Sequence, residues 1–227
     1  MKNTTRTVIS RRARPAKEPL SKALIVNTAW ELLRNEGSSG MSMRKIAKAL
    51  DTGPASLYVY VKNLQELNAY VLDHGLDKVV LPDPQSADWR TNLFEALHNY
   101  QQVLFEAPGV AELALTTIPI GPHSLVITEY ILARLHEGGM SARTAAWGLD
   151  MLLLYATSVA FEQASRNERG NELDALSASY LSLDAAQYPM LAGAREEMTS
   201  GSMTPEGHER FRWGLDVILQ GMMQKQA

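Results

Sequence analysis

The sequence predicts an all-α protein in two parts: a small N-terminal unit of three helices, and a larger helical body reached through a connecting helix. Three observations lead there. Apolar residues recur three and four apart in most stretches, and no β-type alternation of useful length occurs. Glycines and prolines fall between these runs, where they stop one helix and start the next. Charge is divided unevenly: residues 1–62 hold 12 Lys and Arg against 4 Asp and Glu, net +8, and residues 63–227 hold 10 against 21, net −11, together the −3 of the whole chain.

Taken in order, residues 1–19 form a basic arm interrupted by Pro15 and Pro19. It reads either as a solvated tail or as an arm that follows phosphates or reaches a minor groove. The three-helix unit spans 20–66. Its first helix runs from about Ser21 to Glu36, with Leu24, Ile25, Ala29, Leu32 and Leu33 as its stripe and Gly37 as its stop. A pair of short helices follows at about 42–61. Ser42 caps the first, and Ile46, Ala47 and Leu50 are its apolar face. Asp51-Thr52-Gly53 breaks it, and Pro54 suits the first turn of the second, where Leu57 and Val61 face back at i and i+4. Asn63 caps a connecting helix through Leu64, Leu67 and Val71, and Leu81-Pro-Asp-Pro breaks the chain.

The body, 67–227, reads as helices throughout. Trp89, Leu93, Leu97, Tyr100 and Leu104 make one stripe, ended at Pro108-Gly109. A short helix covers 110–117, and another carries Leu125, Ile127, Ile131, Leu132 and Leu135 up to Gly138-Gly139. From Ser141 to about Gln163 the chain is apolar nearly all round, which means burial on every side. Residues 166–172 read as a loop and 175–200 as weakly periodic segments. A last helix starts at Thr204 and runs through Phe211, Leu215, Ile218 and Met222.

The two short helices with their break form a helix-turn-helix. A helical hairpin with a basic face is the plain reading; the +8 head on an acidic body favours DNA, because phosphate binding needs local positive charge and the acidic remainder is repelled. The outward residues Pro54, Ala55, Ser56, Tyr58 and Tyr60, then Lys62, form a face short enough for a major groove, with hydroxyls and methyl-sized groups. Ser42, Met43 and Arg44 stand at the neighbouring helix start.

Composition excludes other classes. With no cysteine there is no disulfide framework, thiol switch or cysteine–zinc site. The start lacks the apolar core of a signal peptide and no uninterrupted apolar span approaches membrane length, so a cytoplasmic protein without membrane contact is expected. No nucleophile–base pairing, glycine-rich phosphate loop, metal motif or pair of carboxylates at convincing spacing points to an enzyme, and no cofactor is expected. His74, His98, His123 and His136, with Glu95, Glu112 and Glu162, show no metal-ligand spacing on one helix face.

The run from Leu24 to Leu67, with Ala-Trp-Glu-Leu-Leu, Met-Arg-Lys-Ile-Ala and above all Ser-Leu-Tyr-Val-Tyr-Val-Lys-Asn, resembles the DNA-binding domain of the tetracycline-repressor family. Phe211-Arg-Trp-Gly-Leu-Asp-Val-Ile-Leu-Gln-Gly-Met resembles the last helix of the subgroup nearest the tetracycline repressors themselves. The resemblance implies a homodimeric transcriptional repressor that binds a palindromic operator and is released by a small-molecule ligand. It puts Arg44 on a guanine, Pro54, Ala55, Ser56 and Tyr58 over bases, Tyr60 and Lys62 on phosphates, and leaves Ser42 and Met43 for a phosphate and an apolar contact. The chain departs from the family pattern in three places: Asp51 at a turn position usually glycine, Gly53-Pro54 in place of bulkier polar residues, and Leu64 in place of a lysine. Operator preference therefore does not transfer.

Two helices, 141–163 and 204–223, present more apolar surface than one chain easily covers. They are expected either as simple core or as the family's four-helix dimer interface, with Leu149, Leu152, Ala156, Phe211, Leu215, Ile218 and Met222 at it. For the ligand, His74 and His98 with Trp89, Phe94, Tyr130, Trp147, Met151, Tyr155 and Phe161 either line a mostly apolar pocket or fill the core. The histidine constellation that holds magnesium–tetracycline in the tetracycline repressors has no convincing counterpart. The alternative is a constitutive or architectural DNA-binding protein without an effector.

Overall fold

Each strongly periodic run becomes a helix. The computed structural model describes residues 19–106, 109–169, 178–200 and 208–225, and no strand occurs among them. The helices are α1 (Lys22–Glu36), α2 (Met43–Ala49), α3 (Pro54–Leu57), α4 (Leu64–Leu76), α5 (Trp89–Glu106), α6 (Val110–Thr116), α7 (Pro122–Glu137), α8 (Ala142–Arg169), α9 (Pro189–Gly193), α10 (Arg195–Ser200) and α11 (His208–Gln224). The basic arm up to residue 18 lies outside the described residues, as does Thr204, the expected start of the last helix. One boundary is corrected: α8 continues to Arg169, through residues expected as a loop, because polar side chains do not stop a helix that lacks glycine or proline.

In the head, Ser21 accepts the Leu24 N–H at 3.1 Å and starts α1, and Gly37 at φ 65° ends it. Ile25, Ala29 and Leu33 of α1 share a buried core with Ile46 and Ala47 of α2, Leu57 of α3 and Val61. Asp51 takes φ 49°, left-handed backbone that Asp tolerates better than most residues. Four residues of α3 suffice: a turn at 58–60 continues the coil, and the Val61 N–H donates to the Leu57 carbonyl at 3.1 Å, so both side chains face inward as their spacing requires. Asn63 caps α4 by accepting the Glu66 N–H at 2.8 Å. The Glu66 carboxylate accepts the Lys62 N–H, which holds its pKa below the usual value.

In the body, α8 is the central helix, packed against α5, α6, α7 and α11. α11 runs antiparallel to it, with Gly148 against Met222 and Gly214 against Tyr155. An ion pair between Arg90 and Asp216 ties α5 to α11, and Tyr100 and Thr157 share a buried hydrogen bond of 3.1 Å between α5 and α8. The stretch Ala142–Ser165 has the length and hydropathy, mean 1.3, of a membrane-crossing helix, contrary to the expectation that no such span exists; in this fold it is packed by four other helices.

Five of the expected dimer residues are corrected. Leu152, Ala156, Phe211, Leu215 and Met222 are buried within one protomer, while Leu149 and Ile218, half-buried, pack against the same core and keep part of their surface outward. What points outward is a different apolar set: Trp147 (67% exposed), Met151 and Leu154 on α8, and Trp213 (68%) and Val217 on α11. A helix that is apolar all round carries no periodic minimum, so its sequence does not say which stripe meets its own chain.

Head and body meet along α4, which packs on α1, α6 and α7. The buried Asp73 carboxylate accepts the Ser124 N–H at 2.8 Å and so caps the start of α7. Any side chain at Gly121 would overlap that carboxylate. At the second contact Gly109, at φ 74°, lies against the turn after α1, where a Cβ would come within 2.8 Å of the Ser38 nitrogen.

Candidate nucleic-acid interface and ligand site

The outward face of the helix pair is set by which residues the head core claims. Ile46, Ala47, Leu57 and Val61 are buried, which leaves Arg44 and Lys48 on α2, Pro54 and Ala55 on α3, and Tyr58 and Lys62 beyond it exposed, with Ser42 and Ser56 half-buried at the same end. The Ser42 hydroxyl accepts the Lys45 N–H at 3.3 Å and keeps its proton for a phosphate oxygen. Lys45 is held by Glu36 at 2.5 Å, which leaves Arg44, with no carboxylate ion pair among the described residues, as the side chain with the fork for a guanine edge.

Two of the expected DNA residues are corrected. Met43 is 8% exposed and belongs to the head core, so its side chain does not reach a base. Tyr60 gives its single hydroxyl proton to the Leu20 carbonyl at 2.6 Å. A phosphate oxygen only accepts, so Tyr60 as placed here has nothing to donate to it. Its role is to tie the chain entering α1 to the end of the helix pair, a contact forty residues apart that no local pattern reveals.

The residues expected to line a ligand pocket divide. Phe94 and His98 come together with Thr91, Phe211 and Leu215 around a cleft of about 350 Å³ between α5 and α11. Tyr155 stacks on Phe211, ring centres 5.5 Å apart and planes 6° apart, and so backs that cleft. Phe161 lines a separate cleft of about 520 Å³ between body and head, with Ser38, Gly109 and Glu112. Trp89 closes against Gly138 at the end of α7. Tyr130, on the inward side of α7, has a buried hydroxyl beside the Arg134 guanidinium.

Three of them are corrected. His74 sits edge-on to Trp30, ring centres 5.8 Å apart, at the seam of head and connecting helix rather than in a pocket. Trp147 and Met151 belong to the outward stripe of α8. One group was missed: Arg134, 4% exposed, interrupts the apolar face Ile127, Ile131, Leu135, and a cation inside that period was the available signal. Among the described residues no three His, Asp or Glu converge as a metal site would require.

Comparison with known proteins agrees with this geometry. The family described as bacterial regulatory proteins, tetR family, matches residues 25–69, and the tetracyclin repressor-like C-terminal domain matches 81–226. A helix-turn-helix transcriptional regulator of Saccharopolyspora erythraea is 31% identical over 186 residues, 79% of each chain. The transcriptional repressor DrrR1 of Streptomyces coeruleorubidus is 27% identical across 93% of this chain and 80% of its own. The structure of apo ActR from Streptomyces coelicolor superposes with a TM-score of 0.81 at 33% identity, over 92% of this chain and 100% of that one, and ActR has also been solved with (S)-DNPA and with actinorhodin. A paired-helix head with an exposed arginine fork, a capped connecting helix and a matching body thus coincide, and the chain belongs to the tetracycline-repressor family of transcriptional regulators rather than to any class of enzyme.

Proposed function

We propose that this protein is a homodimeric repressor that binds a palindromic operator in the cytoplasm and leaves it when a small, largely apolar or aromatic molecule occupies the body. The observation that carries the reading is the pairing of two outward surfaces: the face of Ser42, Arg44, Pro54, Ala55, Ser56, Tyr58 and Lys62, and the apolar stripes of Trp147, Met151, Leu154, Trp213 and Val217. Two-fold pairing through the stripes gives two reading heads, and two heads match two half-sites of a palindrome in successive major grooves. Residues 20–66 serve as the DNA-binding unit and 67–227 as the unit for effector and partner. ActR, with its solved ligand complexes, supports an effector.

Release follows from geometry. α4 is fixed to α7 by the Asp73 cap and to the head through its contact with α1. A ligand that displaces α7 therefore moves α4 and the spacing of the two heads, and a coupling of roughly 1–3 kcal/mol changes operator affinity some 5–150-fold. Fluorescence-anisotropy titration of the purified protein against duplexes from its own upstream region tests this. We expect saturable binding of two chains per palindrome, with affinity falling steeply as salt rises. Binding that is equally strong to unrelated duplexes, or one chain per site, refutes it.

A further inference from the structure

We propose that residues 1–18 are the main ionic anchor of the protein on DNA: they lie along the phosphates beside the reading helix α3, supply more of the phosphate contact than the folded head does, and take no part in reading sequence. This rests on the reading of the head as DNA-binding. The first observation is where the charge sits. Residues 1–18 hold 6 Lys and Arg against 1 Glu, net +5, whereas residues 19–62 hold 6 against 3, net +3. Half of the cations in 19–62 are engaged within the head: Lys45 pairs with Glu36 at 2.5 Å, Arg34 with Glu31 at 3.8 Å, and the Lys22 ammonium lies 3.1 Å from the Tyr70 ring centre. Arg44, Lys48 and Lys62 remain on the outward face. Arg44 is the one with the fork for a guanine, so the folded head brings few cations to the phosphates.

The second observation is where the chain leaves the fold. The Tyr60 hydroxyl donates to the Leu20 carbonyl at 2.6 Å, the Leu20 side chain packs against the head core, and Ser21 caps α1. Residues 20 and 21 are thereby pinned at the end of the helix pair, beside the exposed Tyr58 and Lys62. The arm thus begins at the DNA-facing edge of the head and not on the side of the body. Extended chain covers about 3.3 Å per residue, so eighteen residues reach at most about 60 Å, well over one turn of duplex of about 34 Å. All six cations are within range of phosphates around the half-site that their own head reads. Phosphate attraction acts on charge alone, whereas base readout needs side chains held in fixed geometry. The rival seat for the arm is the acidic remainder, residues 63–227, but duplex DNA carries a charge about every 1.7 Å of its axis and gives up condensed counterions on binding, a gain that a protein surface does not offer.

The test uses the full-length protein and duplexes tiled across its own upstream region, followed by fluorescence anisotropy over a range of salt; the tightest duplex is compared with a shuffled one of the same composition. In the variant, Lys2, Arg6, Arg11, Arg12, Arg14 and Lys17 are each replaced by Gln. If half of these cations touch phosphates in both protomers of a dimer, the slope of log binding constant against log salt becomes shallower by about 5, a difference of roughly 1,000-fold between 50 and 200 mM salt. The loss is expected on both duplexes alike, so the ratio of their affinities holds, and the melting temperature is expected to stay unchanged. Tyr60→Phe is expected to weaken the wild type about 3- to 10-fold, the range of one hydrogen bond, and to have no effect in the arm variant, because only its hold on the chain exit is lost. An unchanged slope, or tighter binding, overturns the assignment: the arm is then a solvated tail or is held by the acidic body. A loss confined to the tight duplex also overturns it, since the arm would then read bases. Equal Tyr60→Phe losses with and without the arm cations refute the fixed exit. A wild type that binds none of the duplexes refutes the DNA-binding reading itself.

Discussion

Leu154 and Leu152 stand two residues apart on the same helix, and exchanging each for aspartate should have opposite outcomes. Leu152 is fully buried in the protomer's core, whereas Leu154 is 58% exposed on the outward stripe with Trp147 and Met151. Burying a leucine completely is worth about 1.5–3 kcal/mol, so closing an interface over the exposed part of Leu154 contributes roughly 1–1.5 kcal/mol. A two-fold interface counts it twice. Truncation to alanine should therefore weaken the dimer by about 2–3 kcal/mol, or roughly 30- to 150-fold in Kd. Leu154→Asp adds a carboxylate per copy that must lose water, a further cost of several kcal/mol. Sedimentation velocity should show a folded monomer with full helical circular dichroism and little operator affinity. Leu152→Asp puts the same charge into the protomer's own core, a cost comparable with a whole domain's stability of about 5–15 kcal/mol, and should not fold. A Leu154→Asp protein that still sediments as a dimer would refute the assignment of the outward stripe.

Three other substitutions test separate links. Arg44→Ala should relax discrimination at one base pair by about 1–3 kcal/mol while the dimer persists; equal weakening on every sequence would make Arg44 a phosphate contact. Asp51→Gly, at φ 49°, should raise stability by roughly 1 kcal/mol in urea titration, because glycine adopts left-handed backbone without Cβ strain, and a loss would mean that the Asp51 side chain holds the turn. Asp73→Ala removes the acceptor of a buried N–H at the start of α7 and should cost about 1–3 kcal/mol, whereas Asp73→Asn keeps an acceptor and should cost less. Equal losses would show that charge against the helix dipole, not hydrogen bonding, is what the cap supplies.

The helix pair was legible because its signals are local. Ser42 caps within three residues, Pro54 starts a helix by its own ring, and Leu57 and Val61 meet the same core because four residues make a turn. Boundaries failed where the stop signal was absent, as at the polar end of α8. Among the candidate site residues, the solvent-facing ones in the head were readable from helical phase alone. Met43 and Tyr60 were misjudged because their fates depend on distant partners: the head core in one case, the Leu20 carbonyl in the other.

In the body the division is sharper. Composition and period alone determined that this chain is helical, that its positive charge sits at one end, and that α8 and α11 hold more apolar surface than a lone helix pair needs. Tertiary structure decided which apolar stripe is spent inside the protomer and which is left outward, and so reversed the parts of Leu152 and Trp147. It also decided that Arg134 is enclosed. Hydrophobicity is a property of a residue and its spacing, but burial is a property of the neighbours brought to it, and those come from elements far away in the chain.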